Sequence, residues 1–295
     1  MTDDPVRSGL PRAATPEGQA ALAAVLAAPG DALIASDFDG TLSPIVADPG
    51  AALAHPGAIA ALRRLAGRVG TLAVITGRPV AQAVQLGRLT GVPGIIVLGH
   101  YGWERWQDGQ VTSPPSPPGV SAAREELPAV LDAAGAPDGI WVEDKGHALA
   151  VHTRRAADPD AALAGLREPL EALAARTGLA LEPGRRVIEL RPPGMDKGVA
   201  LTDLARQRQA RSVLFFGDDL GDLAAFAAVR TLRDQGTPGA TIVSAAPESE
   251  LAKDEGDFTV DGPDGVAGFL EVLADAVEGD DPPGSPHSRG GSVNP

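Results

Sequence analysis

Short apolar runs recur along the chain and are separated by stretches with apolar residues at helical spacing. Segments 31–36, 71–75, 94–98, 212–216 and 240–243 are mostly apolar, as strands buried on both faces require. Between them, 56–68 reads as a helix with Pro56 at its start, and 197–209 and 220–229 read as further helices. An Ala-rich run at 20–28, stopped by Pro29 and Gly30, reads as an amphipathic first helix. Strands alternating with helices predict a doubly wound, Rossmann-like parallel sheet covered on both faces, an α/β fold.

That alternation is interrupted. The stretch 112–119 (TSPPSPPG) reads as a stiff, extended spacer. After it, strand candidates at 139–143 and 148–153 are joined by a short turn containing Gly146. A helix at 159–176 follows, in which Pro169 predicts a kink, and then strands at 179–182 and 186–190 flank Gly184. Such closely spaced strands predict an antiparallel sheet. The expected organisation is a core of 17–111 and 192–278 with an inserted α+β cap at 112–191. A second Pro-containing hinge, Arg191-Pro192-Pro193-Gly194, closes the cap. The polar ends, 1–16 and 279–295, are expected to be disordered, and there is no internal repeat.

Composition narrows the function classes. A formal net charge of −14 argues against nucleic acid as a partner. The absence of Cys excludes disulfides, thiolate metal sites and a Cys nucleophile. No apolar run approaches the ~20 residues of a membrane helix, so no membrane association is expected. The run at 20–28 has the character of a signal-peptide core, but Asp3, Asp4 and Glu17 stand beside Arg7 and Arg12 ahead of it or at its edge. The basic region is therefore missing, and a cytoplasmic protein is expected. Lysine occurs only at 145, 197 and 253, so a Lys within a motif is conspicuous.

The chemistry gathers where open parallel sheets form their sites, beyond the carboxyl ends of strands. The first strand runs into Asp37-Phe38-Asp39-Gly40-Thr41. Two carboxylates this close repel unless a cation or a shared proton compensates, and hard oxygen ligands suit Mg²⁺. An Asp-Gly turn or a calcium loop shares part of this pattern, but a calcium loop needs further acidic ligands and a late Glu, and the segment after Thr41 offers LSPIVADP instead. The second strand ends in Thr76-Gly77-Arg78, where a hydroxyl and backbone N–H groups form either a phosphate cradle or an ordinary helix cap. Lys197 opens a core helix, where its charge opposes the helix dipole. A later strand ends in Gly217-Asp218-Asp219, with Asp222 one turn on.

These four elements, in this order, resemble the haloacid dehalogenase superfamily of phosphohydrolases over most of residues 31–275. The resemblance implies Asp37 as a nucleophile that forms an aspartyl-phosphate and Asp39 as general acid and then base. It also implies Mg²⁺ on the Asp37 carboxylate, the Asp39 backbone carbonyl and Asp218, with Thr76 and Lys197 binding the transferring phosphoryl group.

The cap narrows the resemblance further. Glu143-x-Lys145, then His152-x-Arg154, then Glu189-x-Arg191-Pro192 are similar to the cap pattern of trehalose-6-phosphate phosphatases. The segment Leu98-Gly99-His100-Tyr101-Gly102-Trp103-Glu104 resembles that family's loop after the third core strand. The resemblance implies that Glu143, Lys145, His152 and Glu189 contact sugar hydroxyls, and that Arg78 or Arg191 steers the anion. Strand alternation puts Glu143 and Lys145 on one face, and His152 and Arg154 on one face. A solvated, salt-bridged sheet face is the competing reading of those charges. The sequence departs from the family at Gly221 and Leu223, where Thr and Glu are usual. The expected partner is thus a small sugar phosphate, trehalose 6-phosphate first, with sucrose 6-phosphate, a mannosyl phosphate or a hexose phosphate as the alternative. A phosphomutase shares the core chemistry. A phosphorylation receiver also carries an Asp cluster, a Thr and a Lys, but it has no inserted cap.

Overall fold

A computed structural model of the protein describes residues 9, 11–46, 48–184, 186–246 and 255–279. Of the expected tail at 279–295, residues 280–295 lie outside the described residues, as do most of the expected N-terminal tail and Lys253. The fold is α/β, as the apolar pattern predicts.

The core is an eight-stranded sheet built from β1 (Ala32–Ser36), β2 (Thr71–Ile75), β3 (Ile96–Gly99), β4 (Glu104–Gln107), β5 (Gln110–Thr112), β10 (Ser212–Gly217), β11 (Gly239–Ser244) and β12 (Phe258–Val260). Its spatial order is β12-β11-β10-β1-β2-β3-β4-β5. The six strands from β12 to β3 run parallel, and β4 and β5 extend the edge as an antiparallel hairpin. The chain leaves β1 towards β2 and later returns to β1's other side through β10. This reversal opens a crevice at the carboxyl ends of β1 and β10.

Both faces of the sheet are covered, which explains the continuous apolar strands. In β1, Ala32 and Ile34 pack into one cluster, and Leu33 and Ala35 into the other. The first cluster is completed by α1 (Pro16–Ala27), α2 (Pro56–Leu65), α3 (Val80–Gly87) and α8 (Gly262–Gly279). The second is completed by α6 (Lys197–Arg208) and α7 (Leu223–Asp234). The chain is structured ahead of α1: Ala14 N–H donates to the Asp257 carbonyl, and the Thr15 hydroxyl donates to the Asp257 carboxylate. Among the described residues, no helix is long and apolar enough to cross a membrane.

A separate four-stranded antiparallel sheet comprises β6 (Trp141–Asp144), β7 (Leu149–His152), β8 (Ala180–Gly184) and β9 (Val187–Arg191), in the order β6-β7-β9-β8. Its apolar side carries Leu149, Val151, Ile188 and Leu190, packed against α4 (Pro118–Ala133) and α5 (Pro159–Thr177). Helix α5 runs as one helix through Pro169. Two local expectations change. The Pro-rich spacer shrinks to 113–117, because Thr112 ends β5 and Pro118 opens α4. Strand β7 stops at His152, so Arg154 lies in the following turn and shares no strand face with it.

Candidate active site

The strand ends deliver their side chains to one place. Asp37 follows β1, its N–H donating to the Phe216 carbonyl of neighbouring β10 at 2.8 Å. Asp218 follows β10 and accepts the Thr41 hydroxyl at 3.1 Å. Gly40, at φ 75°, turns the chain between these two strand ends. A Cβ at Gly40 would collide with the Asp218 carboxylate, so glycine is required here by space as well as by backbone angle.

Lys197 is the first residue of α6, behind the N-cap Asp196, whose side chain accepts the Val199 N–H. Its Nζ lies 2.8 Å from both Asp37 Oδ1 and Asp222 Oδ1. Asp222 is fully buried and also accepts the backbone N–H groups of Asp218 and Asp219 at 2.9 and 3.2 Å. The Asp that stood one turn after GDD therefore anchors the lysine and the Asp218 loop together. Its own helix begins only at Leu223, because 220–222 form a separate tight turn.

Thr76 follows β2, and its hydroxyl accepts the Arg78 N–H at 3.1 Å. The Arg78 guanidinium clasps Asp39 through two hydrogen bonds of 2.6 Å and donates to the Pro49 carbonyl at 2.8 Å. The Asp39 carboxylate therefore points to Arg78 and stays outside the cluster formed by Asp37, Asp218 and Asp222.

Those three carboxylates present oxygens that all lie within 4.8 Å of one another. Burial, then Asp222, Asp219 and Asp218, drive the Asp37 carboxyl well above the usual carboxylate range, against the pull of Lys197. Asp218 is pushed up to about 8 by burial and by Asp222 and Asp219. Lys197 is held protonated because Asp222 and Asp37 outweigh its burial. Asp219 adds a further carboxylate, and its buried Oδ1 has no hydrogen-bond partner among the described residues. One lysine does not neutralise this group. A hard divalent cation fits the donor set, which is made entirely of oxygens.

The cap supplies the opposite wall. Register places Glu143 against Ala150, Ala150 against Glu189, and Glu189 against Glu182, so the sheet's polar face carries a row of carboxylates. Lys145 lies just beyond the end of β6, and its Nζ donates to Glu189 Oε2 at 2.6 Å. Burial lowers the Lys145 pKa, but Glu189, with Glu143 and Tyr101 adding to it, more than compensates and the ammonium is favoured. Glu143 Oε2 lies 3.0 Å from His152 Nε2. The His152 ring is stacked on Trp141 at 4.2 Å.

A cavity of about 490 Å³ separates cap from core. Asp37, Asp39, Thr76, Arg78 and Lys197 line it from the core, and Glu143 and Lys145 from the cap. His152, Glu189 and Arg191 stand behind this wall: His152 on Glu143, Glu189 on Lys145, and Arg191 3.3 Å from Glu182. The lining also includes His100, Tyr101 and Asp219, to which the sequence reading gave no role. The position of His100 and Tyr101 after β3 was the available signal, since the other core groups also follow strands.

A trehalose-phosphatase family model matches residues 35–261. The trehalose-phosphate phosphatase of Mycobacterium avium (strain 104) is 37% identical over 262 residues, which cover 82% of this chain and 62% of that protein. That of Mycobacterium tuberculosis (strain ATCC 25618 / H37Rv) is 36% identical over 253 residues, covering 81% and 60%. The chain thus spans about three fifths of the length of the curated relatives it matches. The fold is shared with the crystal structure of Aspergillus fumigatus trehalose-6-phosphate phosphatase, with a TM-score of 0.67 and 23% identity over 90% of this chain and 99% of that one. It is also shared with a haloacid dehalogenase-like hydrolase from Bacteroides thetaiotaomicron, with a TM-score of 0.55 and 17% identity over 81% and 98%. With most of the fold inside the matched segment, and relatives more than a third identical along it, the chain belongs to the trehalose-phosphatase family.

Proposed function

We propose that the protein is a Mg²⁺-dependent phosphatase that hydrolyses trehalose 6-phosphate to trehalose and phosphate through an aspartyl-phosphate. The observation that carries this reading is the cavity, which joins a strand-end group suited to phosphoryl transfer with a cap wall suited to a sugar.

In the first step a carboxylate oxygen of Asp37 attacks phosphorus and the bond from phosphorus to the sugar oxygen breaks. Asp39 gives its proton to that leaving oxygen, which requires Arg78 to release one of the two oxygens it clasps. In the second step a water attacks the aspartyl-phosphate and yields its proton to Asp39. Phosphate leaves and the Asp37 carboxylate is restored. Lys197 Nζ, 2.8 Å from Asp37, and the Thr76 hydroxyl hold the phosphoryl oxygens while charge develops on them. Mg²⁺ held by Asp37, Asp218 and the Asp39 backbone carbonyl would offset the repulsion between the nucleophile and an anionic ester. Glu143 and Lys145 would take the sugar hydroxyls, with Glu189 and His152 holding them in position.

The test is phosphate release from trehalose 6-phosphate, sucrose 6-phosphate and glucose 6-phosphate, with Mg²⁺ and with EDTA. Release from trehalose 6-phosphate that stops in EDTA and resumes on adding Mg²⁺ is expected. Metal-independent release, or a preference for another sugar phosphate, contradicts the proposal.

A further inference from the structure

His100 and Tyr101 follow β3 with left-handed backbones, φ 49° and 59°. Non-glycine residues adopt that conformation at a cost, and consecutive ones persist only where their surroundings hold them. Here the His100 N–H donates to the Arg78 carbonyl at 3.0 Å and the Tyr101 N–H to the Thr76 carbonyl at 2.9 Å. This turn is therefore tied to the loop that carries the phosphoryl-binding threonine.

Both side chains reach the cap. The His100 ring lies 4.0 Å from that of His147, in the turn between β6 and β7, and Trp103 stacks near His147 at 5.9 Å. The Tyr101 ring fills the space beside Gly77, where a Cβ would come within 2.9 Å of its hydroxyl. The guanidinium of Arg191 sits over that ring, 4.5 Å from its centre. Arg191 ends β9 directly before Pro192, Pro193 and Gly194, so Tyr101 meets the cap where its last strand returns to the core.

We propose that Tyr101 is a positioning residue: through the Arg191 guanidinium on its ring, it seats the cap sheet at the distance from Asp37 and Lys197 that a phosphorylated sugar needs. The role of Glu143 and Lys145 towards that sugar rests on the function proposed above; the seating itself does not. The ring face is what Arg191 covers, and the hydroxyl lies against Gly77. The aromatic face therefore carries the effect, and Phe retains it.

The test uses Tyr101→Leu and Tyr101→Phe, with two readouts. The first is steady-state kinetics on trehalose 6-phosphate and on p-nitrophenyl phosphate, which needs only the core. Tyr101→Leu is expected to raise KM for the sugar phosphate by about two- to thirtyfold, the range of a cation–π contact. It should cost less on p-nitrophenyl phosphate than on the sugar phosphate, and Tyr101→Phe, which keeps the ring face, should raise that KM less than Tyr101→Leu does. The second readout exploits the absence of cysteine. Spin labels on Glu168→Cys in α5 and Arg230→Cys in α7 give the cap-to-core distance distribution, which Tyr101→Leu should broaden and Tyr101→Phe should not. An unchanged distribution in Tyr101→Leu overturns the proposal whatever the substrate is. Equal losses on both substrates, or a Tyr101→Phe as impaired as Tyr101→Leu, overturn it as well. If the wild type fails to hydrolyse trehalose 6-phosphate, the functional reading falls while the distance measurement still decides the seating.

Discussion

Asp37 and Asp39 differ by two positions and have opposite surroundings. Asp37 is buried beside Lys197 and among Asp218, Asp219 and Asp222; Asp39 is clasped by Arg78 at the cavity wall. That contrast suits one to forming a bond to phosphorus and the other to moving a proton. Asp37→Asn keeps the shape and removes the proposed nucleophile, so kcat should fall below a tenth of wild type, and by far more than any cap substitution costs. A preparation free of other phosphatases that retains a tenth of the turnover refutes that role. Asp39→Asn should lose about 10²–10⁴ in kcat on a sugar phosphate, the worth of a positioned proton donor. It should lose less on p-nitrophenyl phosphate, whose leaving group scarcely needs a proton, provided the first step limits turnover. Equal losses under that condition count against the acid role.

At the scale of elements, the apolar core strands were legible because burial on both faces leaves an uninterrupted apolar run, and β2 has the bounds its sequence predicts. Others were silent for physical reasons. The short strand β5 is exposed throughout and exists only through its pairing with β4. Helix α4 opens inside a Pro-rich run and carries Pro128 on its solvent side, so its sequence reads as broken. The pairing of Lys145 with Glu189 spans 44 positions and appears only once the cap register is known. The seam between the β3 turn and the cap has its own signature. Burial, with His147 and Lys145 nearby, lowers His100 from 6.5 to about 3, and burial also lowers His147. Folded His100 thus stays neutral while the unfolded chain takes up a proton below about 6.5, so its contribution to stability declines as pH falls from there towards about 3. At pH 4.5 the penalty from this residue is about 2–3 kcal/mol at 1.36 kcal/mol per pH unit. Denaturant unfolding of wild type and His100→Gln from pH 7 to 4.5 checks this. The wild type should lose more stability than the variant by about that amount, and parallel pH profiles would disprove the assignment.

Across the whole molecule, the core and the cap contribute different halves of one cavity, and the chain crosses between them at 113–117 and 192–194. Both crossings are Pro-rich, which suits two sheets that move as bodies and meet over a substrate. In the proposed function the core performs the chemistry and the cap selects the sugar. The direct measurement is kcat/KM for trehalose 6-phosphate, glucose 6-phosphate and p-nitrophenyl phosphate, on wild type and on the Glu143→Ala, Lys145→Ala double variant. Hydrogen bonds to charged groups are worth about 1.5–3 kcal/mol each, so two of them should give wild type a preference of about 10²–10⁴ for trehalose 6-phosphate over glucose 6-phosphate. The double variant should lose most of that preference and keep p-nitrophenyl phosphate hydrolysis within about threefold. A wild type without the preference, or a double variant that retains it, contradicts the claim.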